Sequence, residues 1–172
     1  SHSINEIFTL GNKINFIKEG KVFFSGNKSN AINYYNRNDN NLFKDSFVRG
    51  EVIKINLQNN LTDININGKK ITVFSNDLKI NQKVLIKIKS SDIIISRVIP
   101  KKISSLNFIK VNISEIIFKK GLVCLILTFG SNILKADLTL KSYKILNLKI
   151  GSECYAIIKA LNINDIINIS LI

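Results

Sequence analysis

The spacing of the scarce cysteines and histidine in this sequence of 172 residues offers no metal centre. There are two cysteines and one histidine, with no CxxC pair and no Cys/His cluster, so the usual zinc ligand sets are excluded. Cys124 lies in Leu122-Val123-Cys124-Leu125-Ile126-Leu127 and Cys154 opens another apolar stretch; both are expected as buried, reduced thiols, compatible with a reducing compartment. No apolar run reaches the roughly 20 residues that span a bilayer, and no signal-peptide pattern opens the chain. A soluble chain is expected. Acidic residues are also scarce: 12 Asp and Glu against 25 Lys and Arg leave a net charge of +13. Such a balance raises nucleic acid or an anionic membrane as partners. The lysines are scattered, however, with only Lys69-Lys70, Lys101-Lys102 and Lys119-Lys120 adjacent. Phe74, Phe108, Phe118 and Phe129 are spaced singly rather than as a platform for stacked bases. No nucleic-acid partner is expected.

What the chain does have is a repeat. Val84-Leu85-Ile86-Lys87-Ile88-Lys89-Ser90-Ser91-Asp92-Ile93 is matched by Cys154-Tyr155-Ala156-Ile157-Ile158-Lys159-Ala160-Leu161-Asn162-Ile163, with Lys89 and Lys159 in register. A short turn precedes each copy, Asn81-Gln82 in the first and Gly151-Ser152 in the second. Two similar β units in tandem follow from this. The first contains alternating or β-branched runs at 48–56, 62–66, 69–73, 83–88 and 93–98, with Asn67-Gly68 as a hairpin signal. Pro100, the only proline, separates it from the second, whose runs fall at 109–116, 122–128, 133–138, 154–159 and 166–171. The second unit alone has apolar residues at helical spacing over 139–146.

Before the repeats, Ser3 and Glu6 form a capping box for a short helix carrying Ile4, Ile7 and Phe8. A hairpin is expected over 13–18 and 21–26 around Glu19-Gly20, then a short helical turn over 31–35. The asparagine-rich tract 36–46 reads as a linker. The division is thus 1–35, 36–46, 47–99 and 100–172.

The two β units resemble the paired oxyanion-binding repeats, of the TOBE/Mop type, at the C-terminus of molybdate ABC-importer ATPases. Ile88-Lys89-Ser90-Ser91-Asp92-Ile93, Ile103-Ser104-Ser105-Leu106-Asn107 and Tyr155-Ala156-Ile157-Ile158-Lys159-Ala160 carry the likeness. It implies a mainly β fold of tandem OB-like five-stranded β-barrels preceded by a short α/β tail of an ABC ATPase domain. It also implies that Ser104, Ser105, Asn107 and Lys159 bind a tetrahedral oxyanion, molybdate or tungstate. A compact dianion needs several N–H and O–H donors and a cation, which these residues can supply. The sequence departs from the family at Leu106, where arginine is common, and at Leu161, where a hydroxyl residue is common.

The stretch 1–26 is similar to the last part of an ABC ATPase, with His2 matching the switch histidine that contacts the γ-phosphate. No GxxxxGK[ST] loop, signature motif or Asp-Glu strand is present, so this chain alone is not expected to hydrolyse ATP. ATP and Mg belong to a full-length context. The resemblance implies a homodimer bound to an inner-membrane permease subunit, cytoplasmic and peripheral on the membrane's cytoplasmic face. Two alternatives share the β repeats: an importer ATPase for sulfate, iron, sugar or polyamine, and a stand-alone molybdate-binding regulator or storage protein.

Overall fold

The structure, a computed structural model, describes residues 7, 12–37, 45–163 and 165–169. His2 and the capping box lie outside the described residues. The expected hairpin forms: β1 (Lys13–Lys18) folds onto β2 (Lys21–Asn27). Glu19 and Gly20 are both left-handed, at φ 51° and 75°, as a two-residue turn that matches strand twist requires. Asn27 Oδ1 accepts from Asn30 N at 2.9 Å where α1 (Lys28–Arg37) begins. This helix outruns the turn expected over 31–35 because Ala31, Ile32 and Tyr35 line one buried face against Ile14, Phe47 and Leu85.

The expected linker starts inside that helix. Asn36 is only 1% exposed; its amide donates to Phe47 O at 2.7 Å and accepts from Phe47 N at 2.9 Å. A side-chain amide here supplies what a neighbouring strand would supply, and so meets the demand of buried main-chain groups for partners. Asp45 and Ser46, at the other end of the tract, already belong to β3 (Asp45–Asn56), and residues 38–44 lie outside the described ones.

The first repeat continues with β4 (Leu61–Ile66), β5 (Lys69–Phe74), β6 (Lys83–Lys89) and β7 (Ile94–Ser96). The second runs through β8 (Asn107–Lys119), β9 (Leu122–Phe129), β10 (Asn132–Thr139), α2 (Leu140–Leu146), β11 (Glu153–Ile158) and β12 (Asp165–Asn168). Asn67 and Gly68 turn with φ 50° and 80°, the conformation the Asn-Gly pair favours. The helix expected over 139–146 is present, with Thr139 Oγ1 accepting from Ser142 N at 3.1 Å as its cap and Asn147 left-handed at its end.

The two five-strand units do not close upon themselves. One sheet has the order β10-β9-β8-β11-β7 and the other β12-β6-β3-β4-β5. Each repeat therefore lends its fifth strand to its neighbour: Tyr155 pairs with Ser96, and Ile167 with Leu85. The inward residues of both sheets, among them Val52, Ile64, Ile86, Ile113, Leu125 and Ile158, form one hydrophobic cluster rather than two. Sharing a core relieves the limit that small domains face when each must bury its own.

The repeat seen in the sequence is reproduced in the hydrogen bonds. Val52 donates to Gln82 O and accepts from Asn81 N, both at 2.9 Å; Ile113 donates to Ser152 O at 3.0 Å and accepts from Gly151 N at 2.7 Å. Asn81 and Gly151 are both left-handed, at φ 63° and 81°. A further matched pair locks the repeats together. Ser46 Oγ, at the head of β3, accepts from Lys135 N of β10 at 2.7 Å. Asn107 Oδ1, at the head of β8, accepts from Thr72 N of β5 at 2.7 Å. The head of each long strand thus holds the edge strand of the other repeat.

Candidate functional site

Lys89, the last residue of β6, and Lys159, the first after β11, have nearly the same backbone, φ −74° and ψ 136° against φ −68° and ψ 139°. Each leads into a single 3-10 turn, 90–92 or 160–162. Between the two turns lies a groove of about 590 Å³, walled by β7, the connector to β8 and the end of β11. Ser104, Ser105 and Lys159 all line it. Three of the four residues expected to bind an oxyanion are therefore brought together, from positions more than fifty residues apart in the chain.

Their side chains differ in what they can do. Ser104 and Lys159 are exposed and able to meet a ligand. Ser105 is buried and donates its hydroxyl to Ile158 O at 2.8 Å, which leaves the oxygen's acceptor capacity but spends its single proton. Asn107 is spent altogether. Its Nδ2 donates to Thr72 O at 2.8 Å and Ile158 O at 3.0 Å, while its Oδ1 takes Thr72 N. It does not line the groove, and its work is to fasten β5 to β8 and β11 behind it. The same donors that suit an anion suit a buried main chain equally well, which is why the sequence did not separate the two roles.

The groove also contains residues the sequence reading missed. Ser91 and Asp92 come from the first turn, Ser96 from β7 and Asn162 from the second turn. Ser91 and Asp92 occupy the positions in the first repeat that Leu161 and Asn162 occupy in the second, so the repeat itself was the available signal. Asp92 matters electrostatically: the lining has one carboxylate and one cation, Lys159. Ser104, Ser91, Ser96 and Asn162 add neutral polar groups. Leu106 faces elsewhere, into a separate recess with Lys54, Asp63 and Lys70, and Leu161 stands 65% exposed beside the groove's turn. Ile94, Ile103, Val98 and Ile99 are exposed apolar residues on and next to the same wall.

Elsewhere the chemistry is structural. Both cysteines are buried and neither is in a disulfide; burial pushes the Cys154 thiol up to about 11, away from the reactive thiolate. Lys87 Nζ lies 3.2 Å from both Asp45 and Asp165, tying β6 to β3 and to the exchanged strand β12. Burial pulls its pKa down, but the hydrogen bonds and charges of Asp165 and Asp45 outweigh that and raise it overall. Among the described residues no three His, Cys, Asp or Glu converge as metal ligands, and no helix is long and apolar enough to cross a membrane.

No protein-family model matches the chain. It is similar to curated molybdenum import ATP-binding proteins. The ModC protein of Rhizobium johnstonii is 24% identical over 160 residues, covering 92% of this chain and 45% of the relative. ModC of Brucella abortus is 26% identical over 165 residues, covering 95% and 45%. The chain thus spans less than half the length of the curated relatives it matches. Among solved structures, the cytoplasmic molybdate-binding protein ModG, with molybdate bound, matches with a TM-score of 0.63 at 20% identity, over 70% of this chain and 94% of that one. The mainly β, OB-like fold expected from the sequence is therefore the fold observed.

Proposed function

We propose that this chain is the portion of a molybdate-type importer ATPase that joins the end of its nucleotide domain, residues 1–35, to a regulatory double β domain. In this reading the groove binds molybdate or tungstate. The observation that carries it is the meeting of Ser104, Ser105 and Lys159 in one open groove, on a chain similar to molybdenum import ATP-binding proteins. Lys159 supplies the charge, Ser104 a hydroxyl donor, and Ser105 and Asn107 hold the wall in place.

One cation opposed by one carboxylate is a weak setting for a dianion, since the two charges largely cancel at the distance of a ligand. The groove's open side and apolar rim suit closure by a second copy, which brings further donors to the anion. The subunit then works as a homodimer on the cytoplasmic face of an inner-membrane permease, where bound oxyanion biases the transporter between two states. ATP, Mg and the switch role of His2 belong to the longer protein. The hairpin fits this arrangement: one face packs on α1 through Ile14, Phe16 and Phe24, and Ile17, Val22 and Phe23 remain exposed on it.

The test is equilibrium binding of molybdate at low salt with sulfate as competitor, on wild type and Lys159→Ala. Saturable binding weakened by the substitution supports the reading. Unchanged binding in Lys159→Ala removes Lys159 from the site, and no saturable binding removes the function. A second reading, a stand-alone oxyanion binder, draws on the 94% coverage of ModG. It predicts molybdate binding with no effect of any permease or nucleotide.

A further inference from the structure

A second cleft, which shares no lining residue with the groove, is lined mostly by polar side chains and by no acidic residue. It lies where α1 meets the hairpin turns of both repeats and has a volume of about 350 Å³. Arg49 of β3, half-buried, donates from Nη1 to Ser29 Oγ at 2.7 Å. Its Nε is buried and has no acceptor among the described residues. Asn132, the first residue of β10, faces the same cleft and buries its Nδ2 equally without an acceptor. Asn67 Nδ2 donates to Ser131 Oγ at 2.7 Å, which stitches the turn of one repeat to that of the other.

Buried donors in native proteins are nearly always satisfied, and each exception calls for a partner. Two orphans in one cleft call for an acceptor with more than one oxygen. A guanidinium remains charged even when burial lowers its pKa, as it does at Arg49. Lys28 stands close enough for Arg49 to add to the effect of burial in holding its pKa down. One cation, Arg49, and no carboxylate in the lining favour an anion.

We infer that this cleft is a second anion site, distinct from the groove, for a compact oxyanion of the phosphate or sulfate class. One oxygen accepts from Arg49 Nε and another from Asn132 Nδ2, with Ser29 and Asn33 at the mouth. The bound anion then touches α1, β3 and the second repeat at once, and so clamps the tail to the double β domain. The inference rests on this geometry and not on the oxyanion chemistry of the groove.

Inorganic phosphate is the probe, followed by calorimetry and by the midpoint of thermal unfolding. Wild type and Lys159→Ala are expected to bind it alike, with a rise in the midpoint. Arg49→Gln is expected to weaken binding by about tenfold or more, the scale of losing a hydrogen bond from a charged donor. Asn132→Asp covers the case in which Arg49→Gln does not fold: it sets a carboxylate against Arg49, and should raise the midpoint of the phosphate-free protein while abolishing the phosphate response. Wild-type phosphate binding in either cleft variant overturns the inference, as does no saturable binding by wild type. Binding lost in Lys159→Ala but kept in Arg49→Gln also overturns it, by putting the anion in the groove and leaving the groove's function standing.

Discussion

The two repeats use one plan with different residues at the same post. Ser46 and Asn107 both head a long strand and both take an N–H from the other repeat's edge strand, Lys135 and Thr72 respectively. Ser46 does so with a hydroxyl, Asn107 with an amide that also donates to Thr72 O and Ile158 O. The heavier lock stands directly behind the connector that lines the groove. What the comparison teaches is that the second repeat departs from the first where the groove needs a fixed wall, through Ser104, Ser105 and the rigid Asn107 beneath them. Its other departure, α2, lies on the far end of β10 and does not line the groove.

Removing the two locks should expose this asymmetry most strongly. Asn107→Ala leaves Thr72 N and Thr72 O of β5 without their partner, while Ile158 O keeps Ser105, and is expected to cost about 3 kcal/mol in urea unfolding, whereas Ser46→Ala, which loses one bond, should cost about 1 kcal/mol. Equal costs would mean that the amide's extra bonds contribute nothing. Asn107→Ser, which gives the second repeat the first one's residue, should fall between. Next in size is the helix that only the second repeat has: Thr139→Ala removes its cap and should cost about 1 kcal/mol, with no change in molybdate affinity.

The smallest effect concerns the exchanged strands. β12 is tied by Lys87 to Asp45 and Asp165, so Lys87→Met should lower stability by about 0.5 kcal/mol at neutral pH. The raised folded pKa of Lys87 fixes the sign of the pH dependence. Its contribution is fully present below the ordinary lysine value of about 10.4 and fades as pH climbs through the folded value. The gap between wild type and variant should therefore be flat from neutrality to mild alkali and close above it. A gap that widened with pH would contradict the assignment.

Much of this was legible in the residues. Asn67-Gly68 and Glu19-Gly20 announced their turns, α2 its apolar spacing, and the pair Asn81-Gln82 and Gly151-Ser152 its equivalence. The exchange of β7 and β12 was not, because alternation states that a strand has a buried face without naming the strand beside it. Asn36 was hidden in an asparagine-rich tract, and only its position beside Phe47 reveals its use. In the site, Ser104, Ser105 and Lys159 were recognisable as donors and a cation. Asp92 was not, since a carboxylate is no part of an anion-binding pattern, and it reaches the groove only through the 3-10 turn after β6. The Arg49 cleft joins residues from Ser29 to Asn132, a span no local motif covers.

The groove's two charges make opposite predictions, and one titration reads both. Molybdate affinity measured at low salt on wild type, Lys159→Ala and Asp92→Asn should fall by about tenfold in the first variant and rise by several fold in the second, as removal of an attractive or a repulsive charge beside a dianion requires. Affinities that do not move, or that move in the same direction in both variants, would contradict the assignment of this groove as the oxyanion site.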